Sequence, residues 1–429
     1  MILMAAALVL GSYSVEPDGP TTLVHPPFGH CMGICRAGTE QLAMLLGGLV
    51  RFDDPQGLAC VKLQEWDAPG VGDDDELAVY GVNSGTGHII YNATMYTLGL
   101  YGGTGSGDDE LRAPHGIAAD PEGRVVVADT GNSRVVILHR SGPRMVPTGF
   151  ITAGLAEPWG VALDSGGSIW VTDRALGELL RFDSADDPEP DAVPLEAPRG
   201  VAAYGGGRYD FYRNEPFLAV VTRDGAGLVR VEDGEVTAEV TPSDCGGQSF
   251  DYPVIDYYGN VWVTDSAACE IHKFDRNLAY ITSFGGPGSG DFQFDSPTGL
   301  AIWRRYGQVF VAERAGAKYF WLGTDFLSPE MTALERGFRF VCGLTEQSSV
   351  EAEILGQDGS IAVDLGGGRN LERLIDITWN GDGPGGEPLP QGSYTLMVTI
   401  EPTYSSRGYF TKVLRQEFDI PAGEGRVPD

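Results

Sequence analysis

Residues 101–118 read YGGTGSGDDELRAPHGIA, and residues 284–301 read FGGPGSGDFQFDSPTGLA. A shorter copy, Phe52-Asp53-Asp54-Pro55-Gln56-Gly57-Leu58-Ala59, mirrors Phe294-Asp295-Ser296-Pro297-Thr298-Gly299-Leu300-Ala301. Passages this alike, this far apart, mean one supersecondary unit repeated along the chain, each copy covering the apolar face its neighbour leaves open. The repeat decides the fold before any single residue is read.

The clearest unit starts at Pro114. Gly116-Ile117-Ala118-Ala119-Asp120 is a short strand of small residues, and Pro121-Glu122-Gly123 is a turn. Arg124-Val125-Val126-Val127-Ala128-Asp129 is a second strand, Thr130-Gly131-Asn132-Ser133 a turn, and Arg134-Val135-Val136-Ile137-Leu138 a third strand, with a fourth expected between Met145 and Ala153. Three successive valines make the second strand apolar on both faces, so it expects cover on both sides. The same grammar returns at Pro158-Trp159-Gly160, Pro198-Arg199-Gly200, Pro253-Val254-Ile255 (without its Gly) and Pro297-Thr298-Gly299. In the first copy, Pro55-Gln56-Gly57 is followed by a long acidic insertion. Units of four strands at a period near ~45 residues read as blades of a β-propeller. The expected fold is all-β, a six-bladed propeller over residues 50–326.

The Pro-x-Gly-[Ile/Val]-Ala start and the Val-Ala-Asp-x-Gly-Asn-x-Arg centre, closest between Ala113 and Val135, resemble the NHL-repeat propellers. That resemblance implies architecture and says little about chemistry. The last unit lacks a rim strand after Lys318-Tyr319-Phe320-Trp321-Leu322, so a strand at Thr21–His25, within an N-terminal segment 15–49, is expected to complete it and close the ring.

Composition narrows the function. Sixty acidic against 29 basic residues give a net charge of −31. Such a surface repels phosphate backbones and anionic headgroups, so no nucleic-acid partner is expected. The runs Asp73-Asp74-Asp75-Glu76 and Asp108-Asp109-Glu110 lack EF-hand spacing and read as solvated loops; Ca²⁺ is the one cofactor left open. Residues 1–14 carry an apolar stretch, Ile2–Leu10, too short to span a bilayer, and read as a secretory signal. No other stretch is suited to cross a membrane. Six cysteines fit an exported, disulfide-bearing protein, with Cys31–Cys35 and Cys245–Cys269 the preferred local pairs. His25, His30, Cys31 and Cys35 cluster in sequence without zinc-ribbon or haem-attachment spacing. The expected location is extracellular or at the cell surface, with the periplasm as alternative.

After a linker at 327–339, residues 340–422 alternate apolar and polar residues in short stretches bounded by Gly, Pro and Asp, ahead of a tail at 423–429. This reads as a β-sandwich. Trp379-Asn380-Gly381 and Leu389-Pro390-Gln391-Gly392-Ser393-Tyr394 resemble the Ig-like domain of flagellar hook-capping proteins. The resemblance implies a spacer, docking or surface-presentation module without catalysis.

Two sets of residues converge on one propeller face. The position between Pro and Gly supplies Gln56, His115, Trp159, Arg199 and Thr298, the expected ligand-binding ring. The exit of the second strand supplies Asn83, Asp129, Asp173, Asp265 and Glu313, which are either metal candidates or acceptors for the amides of their own turns. Trp159 and Arg199 carry the residue types that dominate recognition surfaces. No nucleophile elbow, His-Glu-x-x-His or phosphate loop is present. Peptidylglycine lyases of similar architecture hold zinc with several histidines, whereas only His115 stands at a strand start here. The expected function is a secreted or surface-exposed bacterial binding or scaffold protein for a protein or glycan ligand. The alternative is a metal-dependent lyase or lactonase on the same face, by resemblance to streptogramin-lyase-like and gluconolactonase-like propellers.

Overall fold

The valine runs find their cover from two directions. Val125 and Val127 pack with Tyr80, Val82 and Ile89 of the preceding repeat, while Val126 and Ala128 pack with Val161, Ile169 and Val171 of the following one. Each repeat is an antiparallel sheet in a computed structural model that describes residues 19–27, 35–48, 50–66, 77–94, 97–187, 189–205, 212–404 and 406–420. The signal expected at 1–14, the acidic run 73–76, His30, Cys31 and the tail 423–429 lie outside the described residues.

Contacts group residues 28–320 into one unit, and residues 1–27 with 321–429 into another. Blade one is Pro55–Val61, Ala78–Asn83, His88–Thr94 and Thr97–Gly102; blade two is Ile117–Ala119, Arg124–Asp129, Arg134–Ser141 and Arg144–Ile151. Blade three is Pro158–Leu163, Ile169–Asp173, Glu178–Phe182 and Asp191–Pro194; blade four is Val201–Tyr204, Phe217–Thr222, Gly227–Glu232 and Glu235–Val240. Blade five is Pro253–Ile255, Val261–Asp265, Glu270–Phe274 and Tyr280–Gly285, and blade six begins with Leu300–Trp303, Gln308–Glu313 and Gly316–Leu322. The first strand of each blade lies against the first strands of the blades before and after it, that of blade six against that of blade one. The fold is a β-propeller.

The last strand of blade six has two partners on its outer edge. Arg36–Gly38 pairs along Gly316–Lys318, and Leu23–Val24 pairs along Trp321–Leu322. The second of these falls within the segment expected at Thr21–His25; the first carries no repeat signature. Among the described residues no helix is long and apolar enough to cross a membrane.

The other unit holds Phe326–Ala333, Phe338–Leu344 and Leu374–Trp379 in one sheet, and Ile361–Asn370, Ser348–Leu355, Gly392–Pro402 and Lys412–Ile420 in a second. Phe340, Ile354, Ile375, Trp379, Leu396 and Val398 fill one core between them. Most of the stretch expected as a linker, 327–339, is therefore strand.

One expectation needs correction. Cys245 and Cys269 are not bonded to each other: each thiol turns back on its own turn, Cys245 Sγ donating to Pro242 O at 3.2 Å and Cys269 Sγ to Ser266 O at 3.7 Å.

Near the axis the inner strands touch backbone to backbone. Gly57 N–H donates to His115 O at 3.1 Å, and Gly116 N–H to Trp159 O at 2.8 Å. A Cβ on Gly116 would stand 2.7 Å from Val161 N, where only backbone would have to give way. Gly116→Ala is expected to cost about 1–3 kcal/mol by overpacking. Calorimetry should show the propeller transition lowered, while Gly368→Ala, with nothing within 4 Å of its Cβ, leaves melting unchanged.

Candidate functional site

The mouth residues are set by a repeated backbone bond. His115 N–H donates to Ala128 O at 3.0 Å, Arg199 N–H to Val221 O at 2.8 Å and Thr298 N–H to Ala312 O at 2.9 Å. In blade five the equivalent bond is Asp251 N–H to Thr264 O, 2.9 Å. Asp251 therefore holds the ring position there, and Tyr252 stands where the other blades have Gly57, Gly116, Gly160, Gly200 and Gly299. A second bond confirms the register: Gly160 N–H donates to Thr172 Oγ1 at 2.7 Å, and Tyr252 N–H to Thr264 Oγ1 at 3.1 Å. Sequence reading anchored this unit on Pro253 and missed both residues. The signal was available: fourteen positions separate His115 from Asp129 and Trp159 from Asp173, and fourteen back from Asp265 is Asp251.

Successive ring members touch. The His115 imidazole stacks on the Trp159 indole with centroids 3.7 Å apart. The Arg199 and Arg174 guanidiniums stand 5.0 and 5.4 Å from the same ring, within cation–π range. Arg199 Nη2 lies 3.3 Å from Asp251 Oδ1. Arg174 bonds Asp224 with two nitrogens, at 2.5 and 2.9 Å, and Glu157 at 3.0 Å. Gln56 Nε2 donates to Asp54 at 2.7 Å, and its Oε1 accepts from the Tyr252 hydroxyl at 3.0 Å. Thr298 faces elsewhere, its hydroxyl donating to Pro55 O at 2.7 Å and tying blade six to blade one. The structure thus brings together His115, Trp159 and Arg199, adds Arg174 and Asp251, and joins Gln56 to Tyr252.

His115 is neutral at pH 7. Burial, then Arg199 and Arg174, push its pKa down to about 4, against the pull of the Ala113 carbonyl. Its Nδ1 lies 2.8 Å from Thr130 Oγ1, whose proton is committed to Pro158 O at 2.6 Å. Nδ1 is therefore the protonated nitrogen. Burial also raises Asp251, although Arg199 opposes it.

The strand-exit residues tie down loops. Asn83 Oδ1 accepts from Asp53 N–H at 2.8 Å. Asp129 accepts from Arg112 N–H at 2.7 Å and Arg134 Nε at 2.7 Å. Asp173 accepts from Ala156 N–H at 2.7 Å and Leu176 N–H at 3.0 Å. Asp265 accepts from Gln248 N–H at 2.5 Å and Ala268 N–H at 2.8 Å, and faces His272 Nε2 at 3.4 Å. Glu313 pairs with Lys318 at 3.3 Å. Each oxygen set is directed at its own blade rather than at a shared point. Among the described residues, no three His, Cys, Asp or Glu side chains are grouped to hold a metal ion. In blade four the exit position is Thr222.

His272 titrates the opposite way to His115. Its burial opposes the charge, but Asp265 and Cys245 prevail and raise its pKa to about 9. His115 should cost stability as pH falls from its ordinary 6.5 towards 4, because the unfolded chain takes up the proton first. His272 should stabilise fully below 6.5 and lose that contribution as pH rises through 9. Imidazole ¹⁵N NMR should find His115 neutral at pH 5.5 and His272 charged at pH 8; overlapping titrations near 6.5 would contradict the geometry.

Comparison with known proteins agrees with this architecture. The NHL repeat pattern matches residues 111–138 and 155–177. Human NHL-repeat-containing protein 4 is 34% identical over 106 residues, covering 24% of this chain and 79% of that protein. Among solved structures, a gluconolactonase from Xanthomonas campestris is 16% identical with a TM-score of 0.46, covering 72% of this chain and 99% of its own. Virginiamycin B lyase from Staphylococcus aureus is 16% identical with a TM-score of 0.42, covering 57% and 77%.

Proposed function

The chain belongs to the NHL-repeat proteins, and from that premise we propose that it is a binding protein whose propeller mouth docks a protein partner on Trp159, Arg199 and Arg174. The observation that carries this reading is the stack of His115, Trp159 and Arg199, assembled from three consecutive blades. Trp and Arg anchors held in place before binding lose little entropy on docking. Arg174 and Arg199 already have carboxylate partners, so the patch offers oriented donors rather than a bare positive field. The indole is crowded by an imidazole and two guanidiniums, which favours a protein over a glycan stacked on a bare ring. In this reading the protein is exported or surface-displayed, and the C-terminal sandwich, by its likeness to hook-capping Ig-like domains, serves docking or presentation.

The alternative of a lyase or lactonase draws support from His115, an imidazole neutral at pH 7 and able to accept a proton. One experiment separates the two. A photo-cross-linker at Leu176, an exposed rim residue of blade three, captures candidates whose affinity is then measured directly. Trp159→Ala and Arg199→Ala should each weaken binding at least about tenfold, roughly 1.4 kcal/mol, at a temperature where both variants are shown to be folded. Partners bound equally well by both variants would overturn the binding reading. Turnover of a lactone lost in His115→Ala would favour the enzyme.

A further inference from the structure

The glycine position next to the axis is filled once by a large side chain. Tyr252 stands there in blade five, and it is 7% exposed. Its hydroxyl donates to Gln56 of blade one at 3.0 Å. The Trp159 indole nitrogen of blade three lies beside the same hydroxyl, buried and without a well-aligned acceptor. A side chain that leaves blade five and meets blades one and three, skipping those between, lies across the axis. Arg199, Asp251 and Asp54 surround it, and burial pushes its phenol well above the ordinary range.

At the far end a second long side chain bridges the inner strands of consecutive blades. Arg304, just past the inner strand of blade six, donates through Nε to Ile255 O of blade five at 2.8 Å and through Nη2 to Ala203 O of blade four. Between these ends, Leu58, Cys60, Ala118, Ala202 and Val254 are only half-buried although blades flank both faces of their strands. The surface left to them faces the axis. Burial pushes the Cys60 thiol up to about 12, against the pull of Arg304.

We infer that Tyr252 is the plug of the axial channel and the floor of the recognition face, with Arg304 closing the opposite end. Partners engage groups across the mouth, and nothing passes down the axis. For its consequence the inference rests on the binding function proposed above; its test needs no partner, so the two fail separately.

The test uses the full chain, iodoacetamide and mass-spectrometric mapping of Cys60. In the wild type, Cys60 should alkylate no faster than the protein globally unfolds. Tyr252→Phe keeps the ring and should leave Cys60 protected. Tyr252→Gly, which restores the residue of the other blades, should speed labelling at least tenfold while the far-UV spectrum stays native. Alkylation of native wild-type Cys60 at the rate of the denatured chain would overturn the inference. So would a folded Tyr252→Gly protein in which Cys60 stays protected while Arg304→Ala exposes it. If Tyr252→Gly does not fold, the wild-type and Tyr252→Phe rates decide.

Discussion

The structure depends on how closely neighbouring inner strands approach one another. Gly57 and Gly116 give their amides to the carbonyls of His115 and Trp159 in the next blade. At Gly57, Gly116, Gly160, Gly200 and Gly299 a Cβ would come within 2.8 Å of a carbonyl of the next blade, so the inner position is glycine in those five blades. The hydroxyls of Thr172 and Thr264 add a second tie, reaching the carbonyls of Arg199 and Thr298 in the following blades. These bonds use the main chain of the mouth residues and leave their side chains free to differ. A ring of fixed carbonyls thereby carries an imidazole, an indole, a guanidinium and a carboxylate in sequence.

The acids at the strand exits serve the same frame. A carboxylate removed from water is costly unless several donors replace the lost hydration. Asp129, Asp173 and Asp265 are fully buried, and each is met by backbone amides of the loop that enters its own blade. The loops that display the mouth residues are held from beneath by these anions. A metal at the same place would have to compete with amides already at hydrogen-bond distance, whereas the turn satisfies the charge without one.

Much of this was legible in the sequence, for identifiable reasons. Val125–Val127 announced a strand covered on both faces, and the alternate packing of those valines onto two neighbours is what such a run requires. His115, Trp159 and Arg199 were legible as mouth residues because Pro-x-Gly marks the entry to the inner strand. Blade five misled because Pro253 imitates that mark three residues late, and the tyrosine that displaced the glycine removed the check. The cation–π partner Arg174 carried no signal, since it reaches Trp159 from the loop after the second strand and only the closed fold brings them together. Arg36–Gly38 was equally silent: a three-residue edge strand contributes backbone bonds, and backbone bonds leave no pattern in side chains.

Tyr252 shows what the frame tolerates when one glycine is lost. Its backbone keeps the bond to Thr264 that Gly160 keeps to Thr172. The side chain then had only the axis to enter. A buried phenol needs an acceptor for its proton, and the nearest blade it could reach across that space supplies Gln56. Gln56 is in turn steadied by Asp54, at the start of the same repeat. One departure from the repeat therefore recruits a residue two blades away and makes a side chain at the glycine position and a mouth residue depend on each other.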